Sequence, residues 1–103
     1  DLCHCSAAIG VDRYDYIVCT EVLEHTRQPF DAVSNIYQML KPGGLAFIST
    51  PFNFRIHGPL PDCWRFTEHG LRELFNKFRL VELECENRFL MPIQYTMVVR
   101  KPC

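Results

Sequence analysis

Hydrophobic and polar positions change period several times along this chain, and each change marks an element. Residues 14–20, YDYIVCT, hold a short continuous apolar run, which predicts a strand covered on both faces, as in parallel sheets flanked by helices. In PFDAVSNIYQML, residues 29–40, Phe30, Val33, Ile36, Tyr37 and Leu40 recur at three- and four-residue spacings, one face of an amphipathic helix. Lys41 suits its last turn, and Pro42-Gly43-Gly44 cannot continue it. LAFIST, residues 45–50, reads as a second buried strand stopped by Pro51.

Residues 51–66, PFNFRIHGPLPDCWRF, contain three prolines and no clean period, which predicts a long ordered loop of the kind that carries function. Thr67 is the expected N-cap of the helix EHGLRELFNKF, with Leu71, Leu74, Phe75 and Phe78 as its buried stripe and His69 on the solvent face. LVELECE alternates strictly, Val81, Leu83 and Cys85 against Glu82, Glu84 and Glu86, the mark of a strand with one wet face near a sheet edge. YTMVVRK, residues 95–101, closes the chain as another apolar strand. Strands alternating with helices argue for one α/β layered domain over residues 1–103, parallel where a helix crosses over and antiparallel in the last pair.

Composition narrows the function classes. A chain of 103 residues with 48% hydrophobic and 22% charged residues is ordinary globular material. The formal net charge is −1 and the basic residues are scattered, so there is no electrostatic footprint for duplex nucleic acid or anionic membrane. No apolar stretch reaches the roughly 18 to 20 residues of a membrane span, and the start DLCHCSAA has no signal-peptide pattern. The six cysteines lack paired C-x-x-C knuckles, so reduced thiols in a cytoplasmic setting are expected rather than a zinc site.

The motifs then combine. YDYIVCTEVLEH, LKPGG, STPFN and PDCWRFTEHGLRELF, in that order and spacing, closely resemble the second half of a class I S-adenosylmethionine-dependent methyltransferase of the type 11 or 12 group. The resemblance implies a Rossmann-like sheet in which these elements are strands four to seven with flanking helices. The last strand would be antiparallel and inserted beside the fifth, with the glutamate-lined strand at the edge. S-adenosylmethionine is the implied cofactor, and a small-molecule, sugar or lipid-linked compound the implied acceptor, methylated on oxygen or nitrogen. The family's glycine-rich turn has no counterpart in this sequence, where Gly43-Gly44 ends a helix and the first residue is Asp1. The chain is therefore expected to be a partial methyltransferase domain without the N-terminal cofactor-binding half. Alone, it is expected neither to bind S-adenosylmethionine tightly nor to methylate, and to self-associate through an exposed strand edge.

Site residues follow from the same alignment of motifs. The resemblance implies Asp1 and Leu2 as adenine contacts, with Thr20 and Glu21 at the strand's carboxyl end as further cofactor contacts. Glu21, Glu24 and His25 stand at i, i+3 and i+4, one face of a helical turn. In one reading His25 or Glu24 takes the acceptor's proton as a general base. In a second, Glu21, Glu24 and His25, with His57 as a fourth ligand, hold Mg²⁺; ubiquinone-pathway O-methyltransferases and small-RNA terminal 2′-O-methyltransferases carry a similar Glu-x-x-Glu-His. In a third, Glu24 and His25 only make local bonds. His57, Trp64 and Arg65 are candidate acceptor contacts, with an internal Asp62–Arg65 pair that pins the loop as the structural alternative. A domain that keeps the fold but only binds partners is the reading from outside enzymology.

Overall fold

The computed structural model describes residues 11–88 and 91–103. In chain order the elements are β1 (Tyr14–Thr20), a 3-10 turn (Leu23–His25), α1 (Pro29–Met39), β2 (Leu40–Pro51), α2 (Glu68–Leu74), β3 (Arg79–Arg88) and β4 (Met91–Arg100). The sheet order is β1-β2-β4-β3. β1 and β2 are parallel, joined through α1, and β4 lies antiparallel between β2 and β3. This is the expected Rossmann-like arrangement, with the last strand inserted inside and the glutamate strand at the edge. No helix among the described residues is long and apolar enough to cross a membrane.

Two glycines explain how α1 hands over to β2. Gly43 has φ of 84°, a left-handed value that suits glycine. A Cβ on Gly44 would come within 2.9 Å of the Lys41 carbonyl oxygen and 3.0 Å of that of Asp15. The pairing partner of β1 consequently jumps from Leu40 at Tyr14 to Leu45 at Tyr16, and LKPGG is folded into a wide bulge. Lys101 reinforces the junction by donating from Nζ to the Leu40 carbonyl and to Asp12 Oδ1.

The core lies on one face of the sheet, between Cys19, Ala46, Ile48, Tyr95, Met97 and Val99 below and α1 and α2 above. All four residues of the expected α2 stripe are buried in it. Thr67 caps α2 as expected, its hydroxyl accepting the Gly70 N–H at 3.1 Å. The helix ends at Leu74, however, and Phe75 and Phe78 belong to the turn that follows.

Several expectations need correction. β1 is not covered on both faces: Tyr16 is 66% and Val18 68% exposed, because both helices pack against the opposite face. Phe30 also points away from the core and Ala32 takes its place, while Val22 is exposed and only Leu23 anchors the turn. Val81 is exposed too, since the register shifts between Leu80 and Glu82. That shift breaks the strict alternation read from LVELECE.

Candidate functional site

The site is built where β1 stops. Glu21 donates its backbone N–H to the Ser49 carbonyl, continuing the ladder by one bond. Its φ is 54°, a left-handed conformation uncommon outside glycine, and this reversal throws the chain into the 3-10 turn. Thr26 closes that turn, its hydroxyl donating to the Leu23 carbonyl at 2.8 Å. Leu23 and Glu24 are both fully buried, Leu23 among the core residues and Glu24 beside His25.

The long loop, residues 52–66, folds back onto the turn. The N–H groups of Cys63 and Trp64 both donate to the Glu24 carbonyl, and the Trp64 indole donates to the Thr26 carbonyl at 2.7 Å. The fold-back sets His57 against the cluster. Glu24 Oε2 is 3.6 Å from His25 Nε2 and 3.3 Å from His57 Nε2, and the two imidazoles meet edge to face at 4.7 Å. Ligand-type atoms of Glu24, His25 and His57 all lie within 4.8 Å of one another.

The hydrogen bonds assign the tautomers. His25 Nδ1 lies 3.1 Å from the Pro61 carbonyl, and His57 Nδ1 lies 3.1 Å from the Gly58 carbonyl. A carbonyl oxygen can only accept, so in each neutral ring Nδ1 carries the proton and Nε2 presents a lone pair. Two imidazole Nε2 atoms therefore converge on the Glu24 carboxyl group. Both Glu24 oxygens and both Nε2 atoms are buried without a hydrogen-bond partner. Burial raises the Glu24 carboxyl above its ordinary value, and the Glu21 carboxyl adds to the effect. Below it, burial and then the Glu24 charge push the Cys19 thiol up to about 12, which leaves it protonated and unreactive.

A cleft of about 520 Å³ opens over the cluster, lined by Glu21, His25, Phe54, His57, Ile93 and Gln94 among others. It sits outside the carboxyl ends of the parallel strands, where open α/β sheets bind ligands. Glu21 joins the cleft but not the tight group of three; its Oε1 accepts from the Ser49 hydroxyl at 3.3 Å. Thr20 is exposed at the end of β1 and does not line this cleft. Asp1 and Leu2 lie outside the described residues.

The two other acceptor candidates face elsewhere. Trp64 lines a separate apolar groove with Phe30 and Phe66, between α1 and α2. Arg65 is spent on the loop itself: its Nη1 and Nη2 donate to Oδ1 and Oδ2 of Asp62 at 2.7 and 2.9 Å, and Nη2 donates to the Arg55 carbonyl at 2.9 Å. The internal pair read as the structural alternative is thus formed. Sequence reasoning passed over Phe54, Ile93 and Gln94, which carry no motif and reach the cleft only through the fold.

The fold and this cleft define the chain's class. The family model described as "Methyltransferase domain" matches residues 4–86, and the chain belongs to that family of S-adenosylmethionine-dependent enzymes. The ubiquinone biosynthesis O-methyltransferase of Pseudomonas savastanoi pv. phaseolicola is 44% identical over 39 residues, 38% of this chain and 17% of that protein. Among solved structures, the Burkholderia thailandensis 1,6-didemethyltoxoflavin-N1-methyltransferase, with 1,6-didemethyltoxoflavin and S-adenosylhomocysteine bound, has a TM-score of 0.70 at 24% identity, over 91% of this chain and 46% of that one. The N-methyltransferase NodS from Bradyrhizobium japonicum WM9 gives 0.70 at 20% identity, over all of this chain and 57% of that one. The chain thus spans about half the length of these structures and under a fifth of the curated relative.

Proposed function

We propose that this domain forms the acceptor side of an S-adenosylmethionine-dependent O-methyltransferase acting on a hydroxyl of a small-molecule acceptor, the rest of the cofactor site being supplied by sequence outside residues 11–103. The observation that carries the reading is the convergence of Glu24, His25 and His57 beneath a cleft at the strands' carboxyl ends. The identity with ubiquinone O-methyltransferases supports oxygen as the atom methylated. When bound, S-adenosylmethionine supplies an electrophilic methyl group. His25 lines the cleft with its Nε2 buried against Glu24; with the ring turned toward the cleft it accepts the hydroxyl proton as the nucleophile forms, and the Glu24 carboxylate stabilises the imidazolium that results. Phe54 and Ile93 exclude water from one wall, and Glu21 orients the acceptor or cofactor from the other.

A second reading has its own support. Ligand-type atoms of Glu24, His25 and His57 lie within 4.8 Å of one another, and two imidazoles with a carboxylate are an adequate ligand set for a divalent ion. Glu24, His25 and His57 would hold it, with Glu21 close enough to contribute charge. Such an ion would lower the pKa of the acceptor hydroxyl, and His25 would then act as ligand rather than base.

Transfer of label from radioactive S-adenosylmethionine to a panel of phenols and aliphatic alcohols, by the protein that carries this domain, tests the reading. Methylated phenol is expected, with His25→Ala reducing the rate by about 10²- to 10⁴-fold. Transfer confined to amines, or indifferent to His25, would overturn it. Activity abolished by a chelator and restored by a divalent ion selects the second reading.

A further inference from the structure

The Asp62–Arg65 pair is built more heavily than a loop staple needs. Asp62 is an exposed-loop residue by position, yet its side chain is only 1% exposed. Its two oxygens take both Arg65 bonds, and Oδ2 also accepts the backbone N–H of His57 at 2.9 Å. Arg65 in turn donates from Nη1 to the Trp64 carbonyl and from Nη2 to the Arg55 carbonyl, gathering both sides of the loop around one guanidinium. The Arg65 bonds and the His57 N–H together hold the Asp62 carboxyl well below the usual carboxylate range.

The His57 ring bonds the neighbouring Gly58 carbonyl and otherwise rests against Phe54 at 5.5 Å, the His25 ring at 4.7 Å and Glu24 Oε2 at 3.3 Å. His25, by contrast, grows from the 3-10 turn and is fixed by the fully buried Leu23 and Glu24 beside it. Two of the three converging groups are thus delivered by a turn anchored in the core. The third is delivered by a loop that is tied to the turn at Pro61, Cys63 and Trp64 and whose two sides are gathered by one ion pair.

We propose that Asp62 and Arg65 are positioning residues that hold the His57 imidazole over Glu24, so that this pair completes the three-group site without touching its occupant. The proposal rests on the cation reading for its consequence: breaking the pair should weaken a divalent ion by about 10- to 100-fold, the range found when groups that orient a ligand are removed. It does not rest on that reading for its geometry, and the two are tested separately.

The first arm needs no metal. The full chain and the variants Arg65→Met and Asp62→Asn are treated with diethyl pyrocarbonate, and modification of each histidine is followed by mass spectrometry. His57 is expected to react several-fold faster in both variants while His25 keeps its rate, and Arg72→Met, which breaks the exposed pair with Glu68 on α2, should change neither. Equal His57 rates in all proteins would overturn the proposal. Should Arg65→Met fail to fold, Arg65→Lys keeps the charge, loses the fork and carries the same comparison.

The second arm is titration with Co²⁺, followed by its visible absorption and by fluorescence of Trp64, the single tryptophan. The unaltered chain is expected to bind one ion, His57→Ala to lose most of the affinity, and Arg65→Met to show the 10- to 100-fold weakening at unchanged stoichiometry. Binding as tight in Arg65→Met as in the unaltered chain overturns the positioning role. No binding by the unaltered chain overturns the cation reading instead, while the faster modification of His57 still supports the pair as what holds that residue in place.

Discussion

Leu23 and Glu24 stand side by side in the 3-10 turn and are equally hidden from water, Leu23 among core residues and Glu24 facing two imidazole nitrogens without a hydrogen bond to either. For the leucine, removal from water stabilises the fold. For the glutamate, the same removal disfavours its charged form and leaves its oxygens unpaired. The turn is held rigid by one residue so that the next can be kept in an unfavourable place. Equal burial is therefore no guide to energetic role; what matters is whether the buried group has found a partner.

Substitutions can break that contrast. Leu23→Ala should have the largest effect, a loss of about 2–5 kcal/mol measured by urea unfolding, a large share of the total stability of such a domain. Glu24→Gln should move the other way. At pH 7 the amide removes a buried charge, and stability should rise by about 1–3 kcal/mol while methyl transfer is lost. The sign follows from the raised Glu24 pKa: the protonated glutamate stabilises the fold at low pH, and that contribution is lost as pH rises through the raised value. The advantage of the variant should therefore vanish in melting curves recorded below the ordinary carboxylate range. A variant no more stable than the unaltered chain at pH 7 would mean that Glu24 has a partner in solution, a bound cation being the first to test by chelation.

Smaller effects sharpen the same point away from the turn. Thr67→Ala removes the cap of α2 and should cost about 0.5–2 kcal/mol in thermal unfolding. Arg72→Met breaks an exposed pair four residues apart on α2 and should shift stability by no more than about 0.5 kcal/mol. Val18→Lys, on the open face of β1, should leave stability within a similar margin yet lower the self-association measured by sedimentation. That last result would tie the apolar face of β1 to contact between copies of the chain.

Much of this was legible in the sequence because period and punctuation are local. The strand, helix and strand from Tyr14 to Pro51, the cap at Thr67 and the edge position of the glutamate strand all follow from spacing and turn residues. Burial was read less well, because periodicity reports that an element has an apolar side and not what covers it. Tyr16 and Val18 look like core and lie bare, and the bulge after Leu80 turns Val81 outward. Glu24 and His25 stood out by their spacing and His57 by its place in a proline-rich loop, and the fold brings the three together. Arg65 and Trp64 were ambiguous for a physical reason: an arginine that grips a substrate and one that grips its own loop look the same until its partners are seen.

The fold-back of the loop has a consequence for the order in which the molecule is made and lost. His25 meets Pro61 across 36 residues, and the Trp64 indole meets Thr26 across 38. Closing spans of that length costs chain entropy, and these contacts are repaid by only a few hydrogen bonds at the surface. The sheet and the two helices can form first: β1 and β2 are brought together through the local helix between them, and the longer span from β2 to β4 is repaid by a full ladder of strand bonds. The cleft should then be the last part to assemble and the first to open. Under mild denaturant, exchange of the Cys63 and Trp64 amide hydrogens should run ahead of the core, and the sheet would stay folded after the loop had left the turn.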